Sequence, residues 1–395
     1  MTRFPKWFRS LAALVPAALA WSILTSAAPA RAGQDSGGSD TPEILPFATG
    51  LTNPRHIRFG PDGLLYVAEA GTGGDMLPPD TEECPAVDSL FTTPPLHGYM
   101  AGFSGRISRI LPDGTRETVA DSLPSARDGF EDALGPTDIA WIEGTLYALI
   151  EGGGCSRGLP DHPAGVIRID PTGYKYVADI SAFIRAHPAK VEPQCGPQGD
   201  CEPDGVPHTM IAVGYTLYVV ETNHNSILRI NPESGKITRI RDRSVQDPAP
   251  ISMVRRGEFF YLGGFDGLVQ KFQLGSGPVR TIEKGFGGIV DLTFIKGWLY
   301  VLETSSPETP FAPHDGSVFR IEQDGRRTVI ASKLHFPVGF APHPAGDALY
   351  VSTVGYGQGL VDGQPPEGQG QIVRIALEDD EQKGTLAQST ARTAK

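Results

Sequence analysis

The stretch Leu65-Tyr66-Val67 decides the fold, because closely related triplets return along the chain. Each copy follows a short turn that contains glycine, and each turn follows an apolar run. Repetition at such spacing indicates a repeat architecture in which every unit is one supersecondary element. The other five copies are Leu146-Tyr147-Ala148, Leu217-Tyr218-Val219, Phe260-Tyr261-Leu262, Leu299-Tyr300-Val301 and Leu349-Tyr350-Val351.

The residues around the first triplet indicate a unit of four strands. Pro54 to Phe59 alternates as an inner strand, Gly60-Pro61-Asp62-Gly63 forms a tight turn, and Leu64 to Glu69 is the second strand. In that turn proline presets φ, aspartate caps locally and glycine supplies a positive φ. After a long insert, Gly105 to Ile110 and Arg116 to Ala120 supply strands three and four. The same pattern recurs with every triplet and predicts six blades.

The sixth unit stops one strand short, after Gln371 to Ile375. Glu43 to Thr49 resembles the fourth strand of blade five, Arg327 to Ala331, and would complete the last blade. Closing the ring in this way protects strand edges. The sequence therefore predicts an all-β fold: a six-bladed β-propeller over residues 43–377, with four antiparallel strands per blade. Alternation along a strand places the triplet Leu and Val on one face and Tyr on the other, all as core.

The first 32 residues have the features of a signal peptide. A basic segment with Arg3, Lys6 and Arg9 precedes an apolar run from Leu11 to Ala20, and Ala30-Arg31-Ala32 is a small-x-small cleavage signal. A membrane anchor is the competing interpretation, but the stretch from Leu11 to Ala28 is barely long enough to span a bilayer and contains Pro16. We therefore expect a secreted or periplasmic protein with no membrane insertion after cleavage.

Composition narrows the classes of partner. Four of the 34 basic residues lie in the signal peptide, which leaves 30 against 46 acidic residues and a net charge of −16 for the mature chain. Such a charge argues against nucleic acid or an anionic membrane surface as partner. Residues 33–42 are expected to form a flexible linker and 378–395 a disordered tail.

The long connections and all four cysteines fall on one face of the predicted propeller. We define the top face as the one where each inner strand begins; turns on the opposite face are short throughout. Function usually lies on variable loops carried by a rigid scaffold, so the top face is the expected site. In an oxidising compartment we expect the disulfides Cys84–Cys155 and Cys195–Cys201, while a pairing across these two remains open.

Polar residues at strand ends on the top face are the candidates for ligand or metal binding. Carboxylates with a few neutral oxygens suit Ca²⁺ or another divalent cation. Mutual repulsion between such carboxylates could equally shift the pKa of one of them and let it act as a general acid or base. The alternative is that they hydrogen-bond loop amides or end strands in solvent. The candidates are His56, Glu69, Asp138, Glu151, His208, Glu221, Asn223, Asp291 and Glu303, with Thr209 and Ser252 beside them.

Two longer segments carry a family resemblance. Gly50 to Arg55 followed by Gly60 to Gly71 resembles the opening of ScyD/ScyE family proteins, and so do Gly135 to Ala140 and Ile289 to Phe294. The resemblance covers nearly the whole mature chain. It implies an exported NHL-type propeller, as the family is named for exported proteins encoded with scytonemin pigment biosynthesis. It supplies no catalytic residue, and the chain departs from it in the cysteine-bearing loops and at Asp204 to His208.

A wider resemblance is to six-bladed SMP-30/gluconolactonase and strictosidine-synthase-like proteins. It implies a divalent metal held by Glu, Asn and Asp at the channel mouth, roles that Glu69, Asn223 and Asp291 would take, although their motif contexts do not match. Two hypotheses follow. The first is a binding or scaffold protein that holds a small molecule, glycan or protein on its top face. The second is a metal-dependent hydrolase of the lactonase kind; the first is favoured because no catalytic motif was found.

Overall fold

The computed structural model describes residues 42–377 apart from 83, 85, 88–97, 130–131, 197–198, 276, 310–311, 323 and 356–368. The predicted signal peptide at 1–32, nearly all of the linker at 33–42 and the tail at 378–395 lie outside the described residues. Within the described part, no helix is long and apolar enough to cross a membrane.

Six antiparallel sheets form the blades of a propeller, as the repeats predict. Blades one and two contain β2 (Pro54–Phe59), β3 (Leu65–Glu69), β4 (Met100–Ile110), β5 (Arg116–Arg127) and β6 (Ala133–Leu134), then β7 (Pro136–Ile142), β8 (Thr145–Ile150), β9 (Gly165–Asp170) and β10 (Gly173–Asp179). Blades three and four contain β11 (Pro207–Val213), β12 (Thr216–Glu221), β13 (Ser226–Ile230) and β14 (Ile237–Asp242), then β15 (Pro250–Arg256), β16 (Phe259–Gly264), β17 (Leu268–Gln273) and β18 (Arg280–Lys284).

The last two blades show how the ring closes. They contain β19 (Ile289–Ile295), β20 (Trp298–Glu303), β21 (Gly316–Ile321) and β22 (Arg327–Leu334), then β23 (Gly339–Pro342), β24 (Ala348–Thr353), β25 (Gly370–Ala376) and β1 (Ile44–Leu51). The N-terminal strand pairs antiparallel with β25, from Ile44 opposite Ile375 to Leu51 opposite Gly370. The predicted closure by an N-terminal strand is confirmed.

The triplets form the core between blades. Leu65 and Val67 pack against blade six, in the cluster that contains Tyr350. Tyr66 packs against blade two, in the cluster that contains Ile139. Neighbouring residues of one strand therefore stabilise opposite blade interfaces, as alternation along a strand requires.

Two features of the top face were not predicted. β4 and β5 extend beyond the predicted strands, because their pairing continues past bulges to Met100 opposite Arg127. The connection after blade two contains a helix, α1 (Ile180–Ala186), whose N-cap Asp179 accepts a hydrogen bond from the Ala182 amide at 2.7 Å. On the opposite face the inter-strand turns are short, none longer than 231–236.

Both expected disulfides are formed, Cys84–Cys155 and Cys195–Cys201. The first joins the top loops of blades one and two, and the second closes a short loop before blade three. Disulfides of this kind are typical of an extracellular or periplasmic environment.

Candidate functional site

Arg58 on the inner strand of blade one brings two predicted site residues together. Its guanidinium lies 3.0 Å from Asp138 of blade two and 3.2 Å from Asp291 of blade five. Because blade five is not a neighbour of blade one, this side chain crosses the channel. The Arg58 side chain is 23% exposed, whereas both aspartates are fully buried. The arginine therefore offsets part of the charge of two carboxylates whose burial would otherwise be costly.

Each of these aspartates also clamps the next blade. Asp138 accepts hydrogen bonds from the Ile139 amide at 2.8 Å and from the Met210 amide of blade three at 2.9 Å. Asp291 accepts from the Phe340 amide of blade six at 3.1 Å. The two carboxylates therefore have a structural role between inner strands. This agrees with the alternative that the sequence left open, in which the candidates hydrogen-bond backbone amides instead of forming a ligand site.

His56 crosses the channel beside Arg58 and is fully buried. Its Nδ1 is 3.1 Å from the carbonyl oxygen of Thr137 in blade two, and its Nε2 is 3.4 Å from the hydroxyl of Thr209 in blade three. The imidazole meets the ring of His208 edge-on, with 5.3 Å between centroids. Side chains from blade one therefore fill the channel at two positions along its inner strand.

Three of the predicted strand-end glutamates share one role. Glu69, Glu221 and Glu303 pair directly with the first residues of their inner strands. Their carboxylates accept hydrogen bonds from the backbone amides of Thr52 (2.8 Å), Val206 (2.9 Å) and Gly287 (2.8 Å), respectively. Each of these amides lies just before the inner strand of the same blade. Each carboxylate fixes the start of its own blade, so the three lie around the ring and do not converge.

Glu151 differs from these three by one position. In blade two the residue paired with the first inner-strand residue, Pro136, is Ile150. Glu151 comes one residue later, so alternation directs its side chain away from the capping position. Its Oε2 is buried and has no hydrogen-bond partner within the described residues. Burial, only partly offset by Arg55 and Arg157, raises the pKa of Glu151 to about 7.

His208 is the second candidate with unmet hydrogen-bonding capacity. It is the second residue of β11, at the top end of the inner strand, and its side chain is buried. Its Nδ1 has no partner within the described part of the chain. Burial, together with the nearby His56 and Arg55, holds its pKa well below the usual value, so the imidazole is neutral.

A buried polar layer on the top face of blades two and three was missed from the sequence. Arg157 donates to the Glu151 carbonyl at 2.9 Å, to the Gly205 carbonyl at 2.8 Å and to the Glu202 carboxylate at 2.8 Å. Its guanidinium also lies against the ring of Tyr99. No sequence pattern could have found this network, because its members come from three separate top loops.

Asn223 and His224 connect the same loop region to blade three. The Asn223 side chain accepts a hydrogen bond from the Glu202 amide at 3.1 Å and donates one to the Asp200 carbonyl at 3.1 Å. His224 lies 3.3 Å from Glu221 and 3.5 Å from Glu192. Burial alone would lower the pKa of His224, but the attraction of these two carboxylates raises it. Both side chains anchor the loop that precedes blade three.

In the part of the chain that the structure describes, the candidate ligands do not fit a divalent metal centre. Among the described residues, no group of three or more His, Cys, Asp or Glu side chains could hold a metal ion. Of the three residues that the lactonase resemblance would use, Glu69 caps blade one, Asn223 holds a loop, and Asp291 bonds a guanidinium. Their oxygens contact different protein groups, and none of these contacts joins one of the three residues to another.

Comparison with solved structures defines the class of protein, a six-bladed β-propeller. The chain is similar to regucalcin, a calcium-binding protein from Agrobacterium tumefaciens, at 13% identity and a TM-score of 0.51 over 86% of this chain and 95% of that one. It is also similar to the PQQ-bound aldose sugar dehydrogenase from Streptomyces coelicolor, at 12% identity and a TM-score of 0.50 over 86% and 99%. A protein of unknown function from Bacteroides thetaiotaomicron matches at 11% identity and a TM-score of 0.51 over 85% and 76%.

These likenesses show the fold alone, because one propeller architecture carries unrelated functions. No protein-family model and no curated protein matches the sequence.

Proposed function

We propose that this chain is an exported binding protein of the ScyD/ScyE kind, which holds its ligand on the top face and works without a metal ion in its channel. The proposed mature domain is the propeller over residues 43–377, released from the signal peptide at 1–32. A function of this kind needs a rigid framework and a variable face, rather than a catalytic constellation.

One observation carries the proposal: Arg58 lies between Asp138 and Asp291. Asp291 is one of the three ligands that the lactonase resemblance implies, and Asp138 is a further candidate ligand at the channel. The guanidinium already supplies the positive charge and the hydrogen-bond donors that they require. A cation there would have to compete with an arginine that reaches both partners from one strand.

The architecture of the top face supports a binding role. Its loops over blades one to three are cross-linked by Cys84–Cys155 and braced by the buried network around Arg157. Ordered loops lose little conformational entropy when a ligand binds, so a braced surface of this kind favours affinity.

The competing function is a divalent-metal-dependent hydrolase, and metal analysis separates the two. The purified mature protein should contain no stoichiometric metal, and its melting temperature should be the same with added Ca²⁺ and with chelator. The Asp291→Asn and Glu221→Gln variants should show the same indifference to metal. A bound metal in the wild type that is lost in Asp291→Asn would overturn the proposal.

The position of the ligand is tested by hydrogen exchange on the mature protein with ligands found in a thermal-shift screen of small molecules and glycans. Protection should appear in top segments such as 151–164 and 199–206. Protection confined to the opposite turns, for example 143–144 and 296–297, would contradict a site on the top face.

A further inference from the structure

We infer that a basic patch on the face opposite the top, formed by Arg256 of blade four and Lys296 of blade five, is a docking surface for an acidic segment of this same chain, Glu378 to Glu381. The face opposite the top is called the bottom face below. The inference goes beyond the proposed function, since it concerns the other face of the propeller and a polypeptide as the partner.

Positive charge is concentrated in one part of an acidic chain. Residues 226–296 carry 11 Lys and Arg side chains against 7 Asp and Glu, whereas the mature chain as a whole has a net charge of −16. Within this stretch, Arg256 and Lys296 are both exposed, and each lies at or just after the bottom end of an inner strand. Such a patch attracts an acidic partner within roughly 10 Å at moderate ionic strength.

Arg256 is held in place by groups that leave its charge uncompensated. Its guanidinium donates a hydrogen bond to the Gly297 carbonyl of blade five and lies 4.9 Å from the centre of the Phe294 ring. Neither of these contacts is with a carboxylate, and a guanidinium has five N–H donors, so several donors remain for an acidic partner. The ring of Phe294 contacts that of Tyr261, beside which Lys271 lies, so positive charge continues along the seam between blades four and five.

The acidic segment leaves the propeller on the same face. β25 ends at Ala376, which pairs with Ala348 at the bottom end of β24. The next residue, Leu377, donates from its amide to the Asp347 carbonyl at 2.8 Å and packs against the cluster between blades five and six. The described part of the chain ends at Leu377, so the acidic segment starts beside the turn 343–347 of blade six.

That turn touches the turn of blade five that carries the patch. A Cβ built on Gly346 would lie 3.3 Å from the Lys296 side chain. Lys296 precedes Gly297, whose carbonyl accepts the hydrogen bond from Arg256. Three contacts in a row therefore lead along the bottom face from Leu377 through Lys296 to Arg256. Four residues of extended chain span about 14 Å, so carboxylates of the segment can reach Lys296 first and Arg256 beyond it.

The distribution of acidic residues fits this path. Residues 378–381 read Glu-Asp-Asp-Glu, and no Asp or Glu follows between 382 and 395. The carboxylates thus occupy the four positions next to the propeller, and arginine can bind a carboxylate through two parallel hydrogen bonds. Asp347, beside the start of the segment, is paired with His343 at 2.6 Å, which limits its repulsion of the segment. The disorder expected for the tail then applies to the residues after Glu381.

Carbodiimide cross-linking of the full-length mature chain tests the inference, because it joins a carboxylate directly to a lysine amine. Mass spectrometry should find 378–381 joined to Lys296. Lys236, exposed on the bottom turn of blade three, is the matched control, and its cross-link to 378–381 should be at least tenfold weaker. Arg256→Glu should reduce the Lys296 cross-link at least fivefold, as should NaCl at about 1 M. Arg229→Glu, which changes an exposed arginine of blade three, should leave the cross-link unchanged.

A segment that is tethered near Lys296 without docking would cross-link equally in the wild type and in Arg256→Glu. That result, or absence of the Lys296 cross-link, would overturn the inference. Mixing chains with and without isotopic label shows whether the cross-link forms within one chain, and a cross-link between chains would assign the patch to a second copy and also overturn it. Arg256→Gln is the milder variant should Arg256→Glu fail to fold. None of these results bears on the top face, so the proposed function stands on its own tests.

Discussion

Arg58 Nη1 lies 3.2 Å from Asp291 Oδ2 and so joins blade one to blade five across the channel. In a ring of blades most stabilising contacts are between neighbours. This pair instead connects the first inner strand to the fifth, and the same guanidinium also bonds Asp138. The channel is thereby held by a charged contact that links three blades.

Replacing Arg58 by methionine should destabilise the protein by about 3 kcal/mol or more, because two buried carboxylates lose their partner while their charge remains. Urea unfolding measured by fluorescence gives the change in the free energy of unfolding. The triple variant with Asp138→Asn and Asp291→Asn should recover part of the loss, since no unpaired charge then remains.

Arg326→Met is the control for loss of an arginine. Arg326 pairs with Asp324 at 2.6 Å, but its side chain is 77% exposed. A surface ion pair of this kind contributes at most about 1 kcal/mol. If Arg58→Met lowered the free energy of unfolding no more than Arg326→Met does, the ion pairs of Arg58 with Asp138 and Asp291 would not contribute to stability.

The pair of His224 and Glu221 should make stability depend on pH in a defined window. The pKa of His224 is raised above 6.5, so its contribution is complete below that pH and is lost as the pH rises through the folded value. The pKa of Glu221 is lowered below 4.5, because His224 and the amides it accepts outweigh burial. Its contribution is complete above 4.5 and is lost on acidification.

Unfolding experiments between pH 4 and pH 9 should therefore show the contribution of this pair at its full value from about 4.5 to 6.5, with a decline on the alkaline side. His224→Gln should remove the alkaline decline and leave the remaining pH profile in place. A decline of the same size in His224→Gln would assign it to another group.

The repeat made the fold predictable, because six copies of a strand with a fixed period leave few arrangements. Leu65, Tyr66 and Val67 lie where alternation places them, and the missing strand is found at the N-terminus. What escaped prediction depends on contacts distant in sequence. The sequence does show that Arg58 is a charged residue at a position where other blades have Ala140, Ile211 and Val254. It does not show which residues Arg58 pairs with.

Glu151 shows how a shift of one residue changes an assignment. From the sequence it belongs with Glu69, Glu221 and Glu303, since all four end or follow a second strand. Only the strand register shows that Ile150 occupies the capping position in blade two. Because successive residues of a strand point to opposite faces, the shift turns a structural carboxylate into one whose Oε2 has no hydrogen-bond partner among the described residues.

The two disulfides should differ in their contribution to stability. The loop closed by Cys84–Cys155 spans 71 residues and that closed by Cys195–Cys201 spans 6. Loop-closure entropy predicts losses of about 4 kcal/mol for Cys84→Ser with Cys155→Ser and about 2 kcal/mol for Cys195→Ser with Cys201→Ser. Unfolding of the two double variants under identical conditions measures the difference. Equal losses, or a larger loss for the Cys195–Cys201 variant, would contradict the prediction that the disulfide closing the longer loop contributes more to stability.

The buried carboxyl of Glu151 should lower stability as the pH rises. Its pKa is 4.5 in the ordinary state and about 7 in the fold, so the folded protein binds the proton more tightly and loses stability from about pH 4.5 to pH 7. Glu151→Gln should raise the free energy of unfolding at pH 8 by up to about 3 kcal/mol and leave it unchanged at pH 4. Unfolding at both pH values measures this, with Glu43→Gln, an exposed carboxylate, as the control for charge. A Glu151→Gln variant that is less stable than the wild type at pH 8 would show that the carboxylate has a partner in solution.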